Sequence, residues 1–236
     1  MPFQPIGTYR LYQQVADQID ELIRTEEFPV GHRLPPERDL AKMLGVSRAV
    51  VREAMVALEI AGLIEVRSGS GTYVKEPAKQ RTHMSPLNLG DIGPSPFDII
   101  SARILIESEI ASLAATKATE RDLNEISALL DKMYEHKARQ ESHYETDRQF
   151  HIRIAAATGN MVLPSIVEGL WDNQFAPAFK VLSQRTHLLD NRDATLSDHF
   201  RITDALRRRD ANGAREAVRA HLSQVVDVML REDTEA

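Results

Sequence analysis

Residues 36–74, PERDLAKMLGVSRAVVREAMVALEIAGLIEVRSGSGTYV, leave this chain few folds to choose from. They read as a short helix, a tight turn at Gly45, a longer helix and a two-stranded hairpin. Pro35 and Pro36 stiffen the approach, and proline suits a first helical position because its missing N–H would have no partner there. Leu40, Met43 and Leu44 give the short helix an apolar face, Gly45 turns the chain out of it, and Ser47 is placed to cap the next helix. In the longer helix Val50, Ala54, Ala57, Leu58 and Ala61 follow helical spacing, with Arg48, Arg52 and Glu53 nearer the opposite side. Gly62 ends it, and Leu63–Arg67 and Thr72–Lys75 are strand-like runs around the turn Ser68-Gly69-Ser70-Gly71.

A short helix, a turn and a longer helix with arginines at its start match a helix-turn-helix, whose second helix enters the DNA major groove N-terminus first. The hairpin makes it a winged version. An ordinary αα-hairpin with a β-ribbon in its core is the alternative, but it does not need arginines at the exposed start of its second helix.

Charge both limits and shapes this reading. The 236 residues carry a net charge of −6, and residues 1–80 are close to neutral, so bulk electrostatics cannot drive DNA binding. Positive charge is instead local, in Arg33, Arg38, Lys42, Arg48 and Arg52, and local field is what steers and holds a phosphate backbone. The salt dependence should be modest, and binding should benefit from a paired second head. Hydrophobic content of 42% and charged content of 27% are those of a soluble globular protein. No apolar run is long enough to span a bilayer and no secretory leader opens the chain, so a cytoplasmic protein with no membrane partner is expected. The absence of cysteine excludes disulfides, thiol catalysis and thiolate metal ligands together.

The rest of the chain divides in two. A loose arm over residues 1–10 and a helix over Tyr12–Glu26 complete a first domain of residues 1–76. Residues 77–96, punctuated by Pro77, Pro86, Gly90, Gly93, Pro94 and Pro96, read as a semi-stiff linker. From residue 97 to 236 the chain is almost wholly helical. Helices are expected from the Ser95-Pro96-Phe97-Asp98 cap onward, after a Thr119/Asp122 cap, over Glu141–Thr158, over Met161–Gln184 with a break near Pro177, over Thr195–Arg209 and over Ala211–Glu232. The fold class is therefore mainly α: an N-terminal winged helix-turn-helix followed by an antiparallel bundle of six or seven helices.

The bundle carries a second chemical signal. Asp147 and His151 stand four residues apart on one helix, so both project from one face. His199 and His221 fall in the last two helices. Three imidazoles and a carboxylate from three helices could form a facial set for a divalent metal with positions left open. Spacing by itself favours the plainer reading, in which each is a core histidine with one hydrogen bond. The other histidines, at 32, 83, 136, 143 and 187, fall in loops, at helix ends or on polar faces.

These stretches resemble the GntR family of bacterial transcription regulators, in its FadR-type branch with an all-helical effector domain. The likeness rests on RLPPERDLAKMLGVSRAVVREAMVALEIAGLIEVRSGSGTYV in the first domain. In the second it rests on Arg103 with Glu107, Asp147-Arg-Gln-Phe-His151, Asp198-His199 and Arg219-Ala-His221-Leu222. Within the branch, LPPER, PFDIISARILIESEIASLAA and DRQFH are most similar to the repressors of hexuronate-catabolism operons. The resemblance implies a homodimer on a palindromic double-stranded DNA operator. It implies DNA contacts from Arg38, Ser47, Arg48 and Arg52 and from the wing at Gly69 and Ser70, with Arg48 and Arg52 reading bases and Arg38 positioning the backbone. It also implies a divalent metal on Asp147, His151, His199 and His221, for which Zn²⁺ comes first and Ni²⁺ or Mn²⁺ also suit nitrogen and oxygen ligands.

Arg103 would face the effector or else serve only as an ion-pair partner for Glu107. A metal and a guanidinium together suit a small carboxylate, a sugar acid by the resemblance, though lactate, citrate or a keto acid fits the same chemistry. The expected function is a ligand-responsive repressor and not an enzyme. A metal-dependent enzyme of small organic acids with a DNA tether is the rival reading, since the same ligand set could activate water. No separate general base stands beside the set to support it. A constitutive architectural DNA binder with a purely structural metal is the other rival.

Overall fold

A computed structural model of the chain describes residues 10–67, 69–76, 92–188 and 192–231. Residues 1–9 of the expected N-terminal arm, Ser68 of the wing turn, residues 77–91 of the expected 77–96 linker with His83, and the expected helix end at Glu232 lie outside the described residues. Two compact units follow, one formed by the chain up to Gly93 together with the chain from Leu230 onward, the other spanning Pro94–Met229.

The first unit opens with α1 (Leu11–Arg24), whose Val15, Ala16, Ile19 and Ile23 are buried and pack it against α3 (Arg48–Ile60). Between them lies α2 (Glu37–Leu44). Pro36 is its N-cap rather than its first residue, and Gly45 closes it at φ +68°, a left-handed conformation that glycine reaches without a Cβ penalty. Ser47 caps α3 as expected, its Oγ accepting from Val50 N at 3.3 Å. The buried face of α3 is broader than its spacing suggested, running through Val51, Ala54, Met55, Val56, Ala57 and Leu58.

Strands β1 (Ile64–Arg67) and β2 (Gly71–Val74) pair antiparallel, with Ile64 opposite Val74 and Arg67 opposite Gly71. The free edge of β2 is covered by residues 31–34. Leu34 N donates to Thr72 O at 2.8 Å and Val74 N to His32 O at 3.0 Å, so the wing is anchored to the strand-like lead into α2.

The second unit contains seven α-helices among the described residues. They are α4 (Pro96–Lys117), α5 (Glu120–Ala138), α6 (Tyr144–Ala156), α7 (Leu163–Asp172), α8 (Pro177–Arg185), α9 (Arg192–Arg207) and α10 (Ala211–Met229), with a 3₁₀ turn at Asn173–Phe175 before Pro177. Ser95 caps α4 through Asp98 N at 3.1 Å. The Thr119/Asp122 box caps α5 reciprocally, Thr119 N donating to Asp122 Oδ2 at 2.8 Å and Asp122 N to Thr119 Oγ1 at 3.2 Å. The expected start of α6 at Glu141 moves to Tyr144, with His143 as its N-cap.

Helix α4 is the centre of this unit and packs against α6, α7, α9 and α10. Its apolar residues spread around the axis, which suits a helix enclosed by others. Even so, Arg103, Glu107, Ser108 and Ser112 are buried on it. Buried polar groups demand partners, and those partners define the site. No described helix is long and apolar enough to cross a membrane.

Candidate functional site

Four helices bring the chemistry together. Helix α6 supplies Asp147 and His151, α9 supplies Asp198 and His199, α10 supplies His221, and α4 supplies Arg103 and Glu107. The three histidines are buried, and each offers a ring nitrogen within 4.8 Å of the others. His151 Nε2 and His199 Nε2 are 3.3 Å apart. Asp147 Oδ1 stands 3.1 Å from His199 Nε2 and 3.4 Å from His151 Nε2.

These three distances carry a geometric message. Ligands held about 2.1 Å from one ion are separated by about 3.0 Å across an octahedral edge and about 3.4 Å across a tetrahedral edge. Asp147 Oδ1 is a buried carboxylate oxygen with no well-formed hydrogen bond among the described residues. The donor set of one carboxylate and three imidazoles therefore fits a divalent cation in chemistry, the three imidazoles lie close enough to share one ion and Asp147 stands at ligand spacing from His151 and His199, so Asp147, His151, His199 and His221 are the residues that could hold it. The four sequence-expected ligands are brought to one place.

Tautomers follow from what lies behind the rings. Glu107 Oε2 is 2.6 Å from His151 Nδ1, which holds the proton on Nδ1 and leaves Nε2 free to ligate. Asp198 Oδ2 stands behind His221 Nδ1 at 3.5 Å. Burial pushes Glu107 up, but the Arg103 guanidinium and the His151 imidazole outweigh it and bring the carboxyl down to about 2. For Asp147 burial likewise raises the pKa, and neighbouring His199 and His151 more than reverse it, holding the carboxyl well below the usual range. Burial pulls His151 down, yet Glu107 and Asp147 raise it overall. His221 goes the other way, burial lowering it to about 4 against the pull of Asp198, so its imidazole is neutral near pH 7.

Arg103 is the ion-pair partner of Glu107 and also lies on a cavity wall. Its Nε donates to Glu107 Oε1 at 2.6 Å, and its guanidinium lies 4.2 Å from the centroid of Trp171. It lines that cavity together with Asp147 and His221. Tyr144, Trp171 and Gln174 form part of the same wall. Burial pushes the Tyr144 phenol up to about 12, so it stands there as a neutral hydroxyl. His143 stands at a helix end, and there it is buried on the cavity wall.

Sequence reasoning treated Glu107 only as an ion-pair partner and missed Trp171 and Gln174. The Arg103/Glu107 spacing of four was visible, but the bridge from Glu107 to His151 depends on α4 packing against α6.

In the first unit the candidate DNA-contacting residues separate. The Arg38 side chain is 62% exposed at the start of α2, while Ser47, Gly69 and Ser70 are exposed and Arg48 is half-buried in the first turn of α3. Gly69 adopts φ +67° at the wing tip, where the Ser70 hydroxyl is 2.9 Å from the Tyr73 hydroxyl. Arg52 departs from the polar face assigned to it. Its Nε and Nη2 lie 2.7 and 2.6 Å from Glu37 Oε2 in a buried pair that ties α3 to α2. The reason is reach: Glu37 is itself buried at the start of α2, and only a long cation can neutralise it there.

Comparison with known proteins places both units. Residues 11–74 match the family described as bacterial regulatory proteins, gntR family, and residues 98–224 match the FCD domain. The chain is 36% identical to the Uxu operon regulator of Haemophilus influenzae over 217 residues, 92% of this chain and 80% of that one. It is 37% identical to the Exu regulon transcriptional regulator of Escherichia coli K12 over 231 residues, 96% of this chain and 87% of the other. The solved structure of E. coli McbR/YncC shares the fold, with a TM-score of 0.51 at 21% identity over 94% of this chain and 98% of that chain. Family match, reading head and relatives agree: the chain belongs to the GntR family, as a DNA-binding transcriptional regulator that carries an FCD effector domain and is not an enzyme.

Proposed function

We propose that the protein represses genes of hexuronate catabolism, binding a palindromic operator as a cytoplasmic homodimer and responding to a hexuronate held in the FCD domain. The relatives named for the Uxu operon and the Exu regulon, alike over nearly the whole chain, support the choice of regulon. The observation that carries the effector chemistry is the convergence of Asp147, His151, His199 and His221 beside a cavity that Arg103 also lines.

In this reading those four residues hold a divalent metal, with Zn²⁺, Ni²⁺ or Mn²⁺ set by availability. The bound ion supplies a Lewis-acidic grip on the effector's carboxylate. Arg103 adds a second, charge-assisted grip on the same group, and Trp171 holds the guanidinium in place by stacking. Tyr144 closes the wall without adding charge. Glu107 and Asp198 orient His151 and His221 from behind. On the DNA side, Arg48 and the wing at Gly69 and Ser70 face the operator, Arg38 positions the phosphate backbone, and Arg52 acts through its pair with Glu37.

Effector and operator are linked because each favours its own arrangement of the paired reading heads, and the linkage is reciprocal. Two measurements test this reading. Elemental analysis of purified wild type, His199→Ala and His221→Ala should show metal lost from the variants; equal metal content would remove both as ligands. Thermal-shift titration of the metal-loaded protein with hexuronates should raise its melting temperature, since a ligand of the native state alone must stabilise it. No shift with any hexuronate, beside a clear shift with another acid, would reassign the effector.

A further inference from the structure

We infer that Trp171 and Gln174 form a hydroxyl-reading subsite in the effector cavity, selecting a polyhydroxylated acid over an acid of equal length without hydroxyls. The inference rests on the cavity being the effector site, as proposed above, and adds which residues recognise the part of the ligand remote from its carboxylate.

Two buried donors carry it. Trp171 is 3% exposed and Gln174 9% exposed, and both line the cavity. Trp171 Nε1 and Gln174 Nε2 are each buried with no hydrogen-bond partner among the described residues. A buried, unpaired N–H is costly, and native structures rarely keep one without a use. Here two occur three residues apart, where α7 runs into the 3₁₀ turn.

Neither side chain is free to turn away. The indole is wedged edge-on against Tyr144 at 5.4 Å between centroids, with the His151 ring at 5.5 Å and the Arg103 guanidinium over its face. Gln174 is tethered by its other end, Oε1 accepting from the Tyr144 hydroxyl at 3.4 Å. The open ends are therefore both N–H donors. A donor asks for an acceptor oxygen, and it gains nothing from a methylene. The carboxylate of the effector is already served by Arg103 and by the Asp147/His cluster. What remains for two neutral donors is the hydroxyl or ring oxygen of a sugar acid, and a short alkyl acid would leave both unpaired. A trapped water could satisfy the same donors, but it would confer no such preference.

The test is isothermal titration of the metal-loaded, full-length protein with four six-carbon acids: a hexuronate, the matching aldonate, adipate and hexanoate. Wild type, Gln174→Leu and Trp171→Phe are compared, with metal content and melting temperature measured for each. Wild type should bind the hydroxylated acids at least about tenfold more tightly than the hydroxyl-free pair. Gln174→Leu should lose about ten- to a hundredfold toward hydroxylated acids while its affinity for adipate and hexanoate changes by less than about twofold, and Trp171→Phe, which also bears on Arg103, should lose more toward the hydroxylated acids than toward the other two. If Trp171→Phe fails to fold, Gln174→Leu alone decides.

The inference is overturned if the variants bind hydroxylated acids as wild type does, or if wild type binds hexanoate equally well. If the hexuronate fails but the aldonate binds and the variants weaken it, the hexuronate reading falls and the subsite stands. If no acid binds, both fall.

Discussion

Replacing Glu107 by Ala tests the proposed metal ligands apart from the proposed effector wall. Glu107 accepts from His151 Nδ1 at 2.6 Å and from Arg103 Nε at 2.6 Å, with its side chain 4% exposed. Truncation leaves His151 without its orienting acceptor and Arg103 as a stranded buried cation. Loss of such an orienting partner costs about ten- to a hundredfold in metal affinity, or about 1.4 to 2.7 kcal/mol. Stranding one member of a buried ion pair costs about 3 to 5 kcal/mol of stability.

A second route gives a similar figure. The Glu107 carboxyl falls from an ordinary 4.5 to about 2, which at about 1.4 kcal/mol per pH unit is roughly 3 to 4 kcal/mol. Because the folded-state pKa is depressed, this stability is fully present above pH 4.5 and is lost as the pH falls through about 2. Glu107→Ala should therefore melt lower at pH 7 and show less loss between pH 4.5 and 2 than wild type. Competition against a chromophoric chelator reads the metal affinity. Arg103→Met is the control: it leaves Glu107 on His151, so metal affinity should hold while effector affinity falls. If Glu107→Ala folds and binds metal as tightly as wild type, Glu107 does not position His151.

Other consequences are equally concrete. Since Glu107 and Asp147 raise His151, metal loading should release protons from it, and more of them as the pH falls. Titration in buffers of different ionisation enthalpy checks this, and a heat independent of buffer would contradict it. Arg52→Ala should destabilise the reading head by about 3 kcal/mol as well as weaken operator binding, and Glu37→Gln should reproduce part of the stability loss in chemical denaturation. A variant that loses DNA binding at unchanged stability would make Arg52 a direct reader instead. Gly45→Ala should cost about 1 kcal/mol because φ is +68° there, read as a lower midpoint for the reading head. An unchanged midpoint would mean the turn relaxes.

How much of this was legible in the sequence depended on how local the determining contacts are. Gly45, Ser47, Ser95 and the Thr119/Asp122 box act within four residues, and each does in the structure what its position implied. The Asp147/His151 pair was visible for the same reason, one helical turn setting both on one face. His199 and His221 were joined to that pair by resemblance and not by spacing, because the join is made by α9 and α10 packing around α4. Helix α4 itself offers no polar stripe from which to read its neighbours, so Glu107 looked like half of an ion pair and not a bridge. Arg52 was misplaced because helical spacing records which side a residue leaves from, not where a seven-atom side chain ends. His143 was missed because a cap position in sequence carries no sign of the cavity it borders.

The central claim is that the cluster on α6, α9 and α10 is the input of a DNA-reading device. It is tested most directly by measuring operator affinity in four states: metal-loaded or chelated protein, each with and without saturating hexuronate. Fluorescence anisotropy on a labelled palindromic operator suffices. The account predicts that hexuronate weakens operator binding by about 5- to 150-fold in the metal-loaded protein, and that chelation, or His199→Ala with His221→Ala, abolishes that response while specific binding persists. An operator affinity that hexuronate leaves unchanged in the metal-loaded protein, or changes equally after chelation, would contradict it.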